Sequence, residues 1–193
     1  MNTYDKLVTD VCSQIRLAEV VELEDIPTID LYMDQVTTFM DHALTPYKRC
    51  ATDKALTKTM INNYTKAKIF PPPVKKKYSK THLMLLIMIY HLKSILSIRD
   101  IGVVFRFALE ESDKEKQNKM IETIYIGFVR LQKATQEYLS ASAQGIPDNT
   151  FFEKTIIAEY QQDEMKRILL VLLLVIRANA EKQLAERALD FYF

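Results

Sequence analysis

Glycine is scarce in this chain, and its scarcity excludes several kinds of site. Only three glycines occur among the 193 residues, at positions 102, 127 and 145. A glycine-rich phosphate loop and a dinucleotide-binding fingerprint each need several closely spaced glycines. Hairpin-rich β architectures need glycine too, because their tight turns require positive φ angles. Together with long periodic stretches between the prolines, this composition predicts an all-α protein.

Cysteine and histidine are also rare. Cys12 and Cys50 form neither a metal-binding spacing nor a disulfide framework, so we expect free thiols in a reducing compartment. His82 and His91 lie nine residues apart, half a turn out of phase on one helix, and cannot chelate one metal from it. No serine or cysteine lies in a recognisable nucleophile setting. We expect no catalytic residue, no metal and no cofactor.

Long apolar runs are missing as well. The longest, from Ile168 to Ile176, has nine residues, whereas a helix needs about 20 to span a bilayer. Residues 1–10 lack the apolar stretch of a signal peptide. The sequence therefore predicts a cytoplasmic protein without a membrane partner. The nine-residue run is apolar on all sides of a helix, so it needs cover from this chain or from a second copy.

Charge, in contrast, is abundant and unevenly distributed. Residues 45–93, which we call the basic segment, hold eleven basic residues and one acid, Asp53, whereas the rest of the chain holds 15 basic and 24 acidic residues. The basic residues are Lys48, Arg49, Lys54, Lys58, Lys66, Lys68, Lys75, Lys76, Lys77, Lys80 and Lys93. Such a segment indicates a polyanionic partner, which can be a nucleic acid, an anionic lipid surface or an acidic protein.

Apolar spacing and capping residues predict the helices. We expect them at about residues 4–18, 30–42, 56–66, 79–96, 98–109, 114–143 and 150–189. Ser79 and Ser97 are expected as N-caps, and Thr150 with Glu153 as a capping box. We divide the chain into an N-terminal helix with an acidic connector at 1–26, a DNA-binding domain at 27–110 and a helical dimerisation or effector domain at 111–193.

The helix at residues 56–66 carries the most specific pattern. Leu56, Met60, Ile61 and Tyr64 share one arc, and the opposite arc holds short polar groups and lysines without any acid. Ordinary solvated helix faces mix both charge signs. An acid-free face suits a DNA groove, which offers hydrogen-bond acceptors between phosphates.

The stretch from Leu56 to Ile101 resembles the DNA-binding head of MerR-type winged-helix regulators. The resemblance lies in Tyr64 near the helix end, in residues 69–73 (Ile-Phe-Pro-Pro-Pro), in Lys75–Lys77 as a basic wing, in Tyr78-Ser79, and in residues 97–101. It covers about a quarter of the chain, and we also expect an uncharacterised bacterial family that joins this head to a helical C-terminal half. It implies a winged helix-turn-helix module followed by a helical module.

The resemblance also implies a function. It implies a transcription regulator that binds double-stranded DNA as a homodimer, with recognition helix 56–66 in the major groove and wing 74–78 on phosphates. The contact residues it implies, together with neighbouring lysines, are Lys58, Thr59, Asn62, Asn63, Lys66, Lys75, Lys76, Lys77, Tyr78 and Lys80. The C-terminal helices would supply dimerisation or a small-molecule effector pocket, lined by Tyr125, Phe128, Tyr138, Phe151, Phe152 and Tyr160, unless these aromatics fill a core.

Two alternatives stay open from the sequence. In one, the protein is a helical interaction module whose basic face binds an acidic protein. In the other, it is a small-molecule sensor in which the C-terminal pocket is the main site.

Overall fold

The fold is mostly helical. A computed structural model describes residues 20–50, 52–143 and 156–192, and this part holds six α-helices of nine residues or more and one two-stranded sheet. The all-α prediction is thereby confirmed. The predicted helix at 4–18 and the capping box of Thr150 and Glu153 lie outside the described residues.

The N-terminal half combines short helices with the small sheet. Its elements are strand β1 (Leu31–Tyr32), helix α1 (Met33–Ala43), helix α2 (Lys58–Lys66) and strand β2 (Lys77–Tyr78), with 3-10 turns at Leu23–Asp25 and Thr45–Tyr47. The strands pair antiparallel, with Leu31 opposite Tyr78 and Tyr32 opposite Lys77. The sequence prediction began α1 at residue 30 because two residues are too few to show strand alternation.

Two further helices follow directly. Helix α3 (Lys80–Leu92) is buried from residue 82 to 89 on every side, as its almost wholly apolar sequence predicts. It ends at residue 92, four residues before its predicted end. Helix α4 (Ile98–Leu109) begins after Ser97, whose hydroxyl accepts a hydrogen bond from the backbone N–H of Asp100 at 3.2 Å. Both predicted serine positions precede a helix, and the bounds of α4 are confirmed.

The two long helices close the fold. Helix α5 (Lys114–Ala143) matches its predicted bounds, and helix α6 (Asp163–Tyr192) follows a helical turn at residues 156–158. They pack closely at Gly127, where a Cβ atom would lie 2.5 Å from Cδ2 of Leu169. No helix within the described residues is long and apolar enough to cross a membrane.

One continuous cluster of buried apolar side chains runs from Val21 to Ile176. The hydroxyl of Tyr125 on α5 donates a hydrogen bond to the carbonyl of Val21 at 2.6 Å, which ties the N-terminal connector to this core. The prediction that two separate domains meet between residues 110 and 111 stays a prediction. The apolar run of α6 is covered only in part, because Leu170 and Leu174 are 49% and 58% exposed.

Candidate nucleic-acid interface

Helix α2 exposes the polar face that its sequence predicts. Thr57 caps it by accepting a hydrogen bond from the backbone N–H of Met60 at 3.2 Å. Ile61 and Tyr64 are buried within the helix, and Leu56 is buried just before it. The residues of α2 that are predicted to contact DNA are all exposed: Lys58, Thr59, Asn62, Asn63 and Lys66.

A tight hairpin turn of lysines follows the proline segment. Val74 and Lys77 exchange both backbone hydrogen bonds, at 3.0 and 2.9 Å, so they enclose a two-residue turn of Lys75 and Lys76. Both turn residues have positive φ angles, 48° and 66°. Such turns favour glycine or asparagine, since a residue with a Cβ atom loses about 1–2 kcal/mol in this conformation. The chain thus has lysine at two positions where the positive φ angle is unfavourable for a residue with a Cβ atom.

Aromatic packing fixes the base of this lysine turn. Tyr78 stacks on Phe70 with ring centroids 6.1 Å apart, and His82 meets both rings edge-on, at 5.6 and 5.3 Å. The Nδ1 atom of His82 accepts a hydrogen bond from the backbone N–H of Ser79 at 3.1 Å, and Nε2 lies 3.4 Å from the carbonyl of Pro72. Tyr78 is only 3% exposed, so its side chain supports the turn from the core instead of reaching a ligand.

Ion pairs divide the basic segment into two sets. Lys48 and Arg49 each lie 2.7 Å from a carboxylate, of Asp41 and Asp190 respectively. Lys58 pairs with Asp34, and Lys54 lies 3.9 Å from Asp41. The second set consists of lysines whose amino groups have no carboxylate within 4.0 Å among the described residues. We call them the unpaired lysines: Lys66, Lys68, Lys75, Lys76 and Lys80.

The pairs have electrostatic consequences at their carboxylates. The hydrogen bond from Lys48 lowers the pKa of Asp41, and the hydrogen bonds from Arg49 lower the pKa of Asp190. Lys48 and Arg49 are thereby engaged within the molecule and are poor candidates for binding phosphate. Lys77 and Lys93 belong to neither set, because their amino groups sit over the rings of Tyr32 and Tyr90, 5.3 and 5.1 Å from the centroids.

Three basic residues that are not among the predicted contact residues join the surface beside Lys66. Lys68 has a φ of 58° just after α2, and it lines a groove together with Arg99 and Arg106 of α4. Gly102 floors this groove, where a Cβ atom would lie 3.0 Å from Ile69. The signal in the sequence was the helical phase of α4, which places both arginines on one exposed arc.

The aromatic residues proposed for an effector pocket separate in the structure. Tyr125 and Phe128 are buried in the core, and the ring of Tyr138 lies 5.0 Å from the guanidinium of Arg177. Tyr160 lines an open apolar groove of about 440 Å³ with Phe107, Met120 and Met165. Phe151 and Phe152 lie outside the described residues.

Comparison with known protein families gives one match. Residues 21–128 match the family described as a domain of unknown function (DUF1836), which is more than half of the chain. The chain belongs to this family. No curated protein and no solved structure matches.

The resemblance to MerR-type regulators is wrong. The family match covers the whole stretch that carried it, and no helix-turn-helix or MerR family matches. Each element of the resemblance has a local cause: a helix with one polar face, a proline segment, and a lysine turn on an aromatic base. The connection between α1 and α2, residues 44–57, is also longer than a tight helix-turn-helix turn.

Proposed function

We propose that this protein binds double-stranded DNA through α2 and the lysine turn. The observation that carries the proposal is the exposed, acid-free face of α2 beside five lysines without a carboxylate partner. Lysines that are free of internal partners can release counterions from phosphates, which gives sequence-independent affinity. Short amide and hydroxyl side chains are the groups that read base edges in a major groove.

The proposal assigns a role to each part of this surface. Asn62 and Asn63 can each pair with an adenine edge, at about 1–3 kcal/mol of discrimination per bidentate contact. Thr59 lies one turn earlier and would contact a neighbouring base or phosphate. The unpaired lysines would bind the backbone on either side. A lysine turn with positive φ angles fits this role, because glycine would serve the backbone better but would carry no charge.

We place these elements in a winged helix-turn-helix arrangement. In this scheme α1 is the first helix, α2 is the recognition helix, and the hairpin at residues 74–78 is the wing. The antiparallel pairing of β1 with β2 supports it, because it sets the hairpin beside the start of α1. This proposal describes only how the helices and the hairpin are arranged, and it implies no relation to MerR-type regulators.

The protein would act as a transcription regulator in the form of a homodimer. Two copies would present two α2 helices to successive major grooves of a two-fold site. Leu170 and Leu174 lie one turn apart on α6, and their exposure leaves an apolar strip that a second copy would cover. The groove beside Tyr160 is the place where an effector of the C-terminal helices would bind. Sedimentation equilibrium measures the proposed dimer directly.

Charge reversal of the wing tests DNA binding. Anisotropy of labelled duplex DNA would be titrated with the protein and with its Lys75→Glu, Lys76→Glu, Lys77→Glu variant at several salt concentrations. We expect a log–log salt slope of roughly −5 for about six phosphate contacts, and a loss of affinity on the order of a hundredfold or more in the variant.

The matched control reverses Lys114, Lys116 and Lys119 of α5, which changes the net charge by the same amount and should leave most of the affinity. Equal losses in both variants would show that net charge alone attracts DNA. No binding at low salt would contradict the proposal, and the alternative of an acidic protein partner would then lead.

A further inference from the structure

A second basic site lies at the other end of α3. A groove of about 400 Å³ separates the end of α3, the connection before α2, and α6. His91 and Lys93 come from the end of α3 and just beyond it, Lys54 from the connection, and Asn179 and Lys182 from α6. None of the unpaired lysines lines this groove, so it is distinct from the proposed DNA-binding surface.

The groove has an excess of positive charge that its own acids do not neutralise. Five basic and two acidic residues line it, and two of the five, Lys48 and Arg49, are held in ion pairs with Asp41 and Asp190. The amino group of Lys93 donates to the carbonyl of Ala55 at 3.2 Å, and no carboxylate of the described residues lies within 4.0 Å of it. Lys54 lies 3.9 Å from Asp41 and Lys182 lies 3.9 Å from Glu186, so neither amino group is within hydrogen-bond distance of its carboxylate. Three lysines are therefore available to an anion.

Burial makes this charge costly without an anion. Loss of hydration lowers the pKa of Lys93, because the charged form is less favourable there than in water. An anion beside its ammonium group would relieve that cost.

A buried imidazole adds a second, independent observation. His91 is 6% exposed and lines the groove, and neither ring nitrogen has a hydrogen-bond partner among the described residues. Its ring is held edge-on by Tyr47, with centroids 4.5 Å apart. Burial lowers its pKa to about 3, so the neutral ring offers one donor and one acceptor. A neutral imidazole in the wall of the groove can exchange a hydrogen bond with a bound anion.

The groove joins the family domain to the last helix. Asn179 lies beyond the matched residues, and its side-chain amide donates to the carbonyl of His91 at 2.8 Å. The hydroxyl of Ser94 also donates to this carbonyl, at 2.7 Å. These two bonds satisfy the buried carbonyl of His91 at the end of α3.

We infer that this groove binds the phosphate group of a small phosphorylated molecule, with Lys93 as the central cation and Lys54 and Lys182 at the rim. Lysine suits phosphate as a point charge that accepts many approach angles. Tyr47 and Tyr90 line the same groove and would contact the organic part of the ligand. The inference does not depend on DNA binding, because the two surfaces share no residue.

Calorimetric titration at constant ionic strength tests this site. The probes are inorganic phosphate, ribose 5-phosphate, ribose and malonate. We expect ribose 5-phosphate to bind with a Kd of about 1 mM or below, inorganic phosphate to bind more weakly, and ribose to give no signal. The Lys93→Met variant should weaken ribose 5-phosphate binding at least about tenfold, which corresponds to one charge-assisted contact.

Further variants keep the test decisive. Lys54→Gln with Lys182→Gln changes only exposed rim residues, so it should weaken binding even if Lys93→Met fails to fold. Lys166→Gln with Arg167→Gln on α6, which lie 3.7 and 3.8 Å from carboxylates, is the matched control. The wing variant Lys75→Glu, Lys76→Glu, Lys77→Glu should keep phosphate binding while it loses DNA. The inference is overturned if no phosphate probe binds, if malonate binds as tightly, or if the groove variants bind like the control.

Discussion

The two ends of α3 carry the same residue types in opposite surroundings. At its start, His82 is hydrogen-bonded through both ring nitrogens and the neighbouring lysines have no carboxylate partners. At its end, the ring nitrogens of His91 have no hydrogen-bond partner among the described residues, whereas Lys48 and Arg49 nearby are held in ion pairs. At the start of α3 the unpaired lysines are available to a ligand. At its end, His91 and Lys93 are available instead.

This difference teaches that charge count alone does not locate a binding surface. The basic segment contributes lysines to both ends, yet their pairing separates the lysines that stabilise the fold from those that can meet a ligand. The same holds for the histidines. His82 fixes the base of the lysine turn, and His91 packs against the rings of Tyr47, Tyr90 and Phe128.

The pH dependence of stability would test the contrast between the histidines most strongly. Burial lowers the pKa of both rings from 6.5, to about 3 for His91, so below pH 6.5 the unfolded chain binds protons that the folded chain does not. Stability is therefore full above pH 6.5 and falls as the pH drops. From His91 alone we expect a loss of about 2 kcal/mol between pH 6.5 and pH 5.

Urea unfolding at pH 7.5 and pH 5.0 measures this loss, and the His91→Leu variant should lose about 2 kcal/mol less between the two pH values than the wild type does. This range lies above the pKa of the paired carboxylates, which limits their contribution. An unchanged pH dependence in the variant would show that His91 is protonated in the folded protein.

A second prediction sharpens the contrast at the lysine turn. Replacement of Lys75 and Lys76 by glycine relieves two positive φ angles, and it should raise the free energy of unfolding by about 0.5–1 kcal/mol per residue. If the proposed function holds, the same variant should lose DNA affinity, because it removes two of the proposed phosphate contacts. Thermal melts and anisotropy titrations of one preparation measure both quantities. A variant that is more stable and still binds with full affinity would contradict the role of the turn.

The smallest effect compares one unpaired lysine with one paired lysine on α2. Lys66→Ala should reduce the salt slope of DNA binding by about 0.9 and leave stability unchanged. Lys58→Ala should instead change stability by about 0.2–1 kcal/mol, since it breaks an exposed pair with Asp34, and should affect DNA binding less. Equal salt slopes for the two variants would show that the pair opens on DNA.

Local patterns predicted most of the helices. The serines before α3 and α4 and the polar face of α2 were read correctly because capping and helical phase are properties of neighbouring residues. The strands were missed because each has two residues and their pairing joins positions 31 and 78, which no local pattern reveals. The break before α6 was missed because residues 156–162 continue a helical composition.

The sequence predicted which residues form the candidate surface better than it predicted how they are arranged. The exposed residues of α2 follow from phase, but the burial of Tyr78 depends on Phe70 and His82, which come together only in the folded chain. The groove at His91 could not be predicted either, because Asn179 lies 88 positions away. The family resemblance failed because short motifs with local physical causes recur in unrelated folds.

The base of the lysine turn has a mechanical consequence. The hairpin is held at Tyr78 by ring packing and by a strand of two residues, while its tip projects with exposed side chains. Because the base of the hairpin is fixed, the exposed side chains at its tip can change direction without disturbing the core. Such a hairpin would let Lys75 and Lys76 follow a phosphate backbone as the groove widens or narrows, and the helix beside it would keep its position.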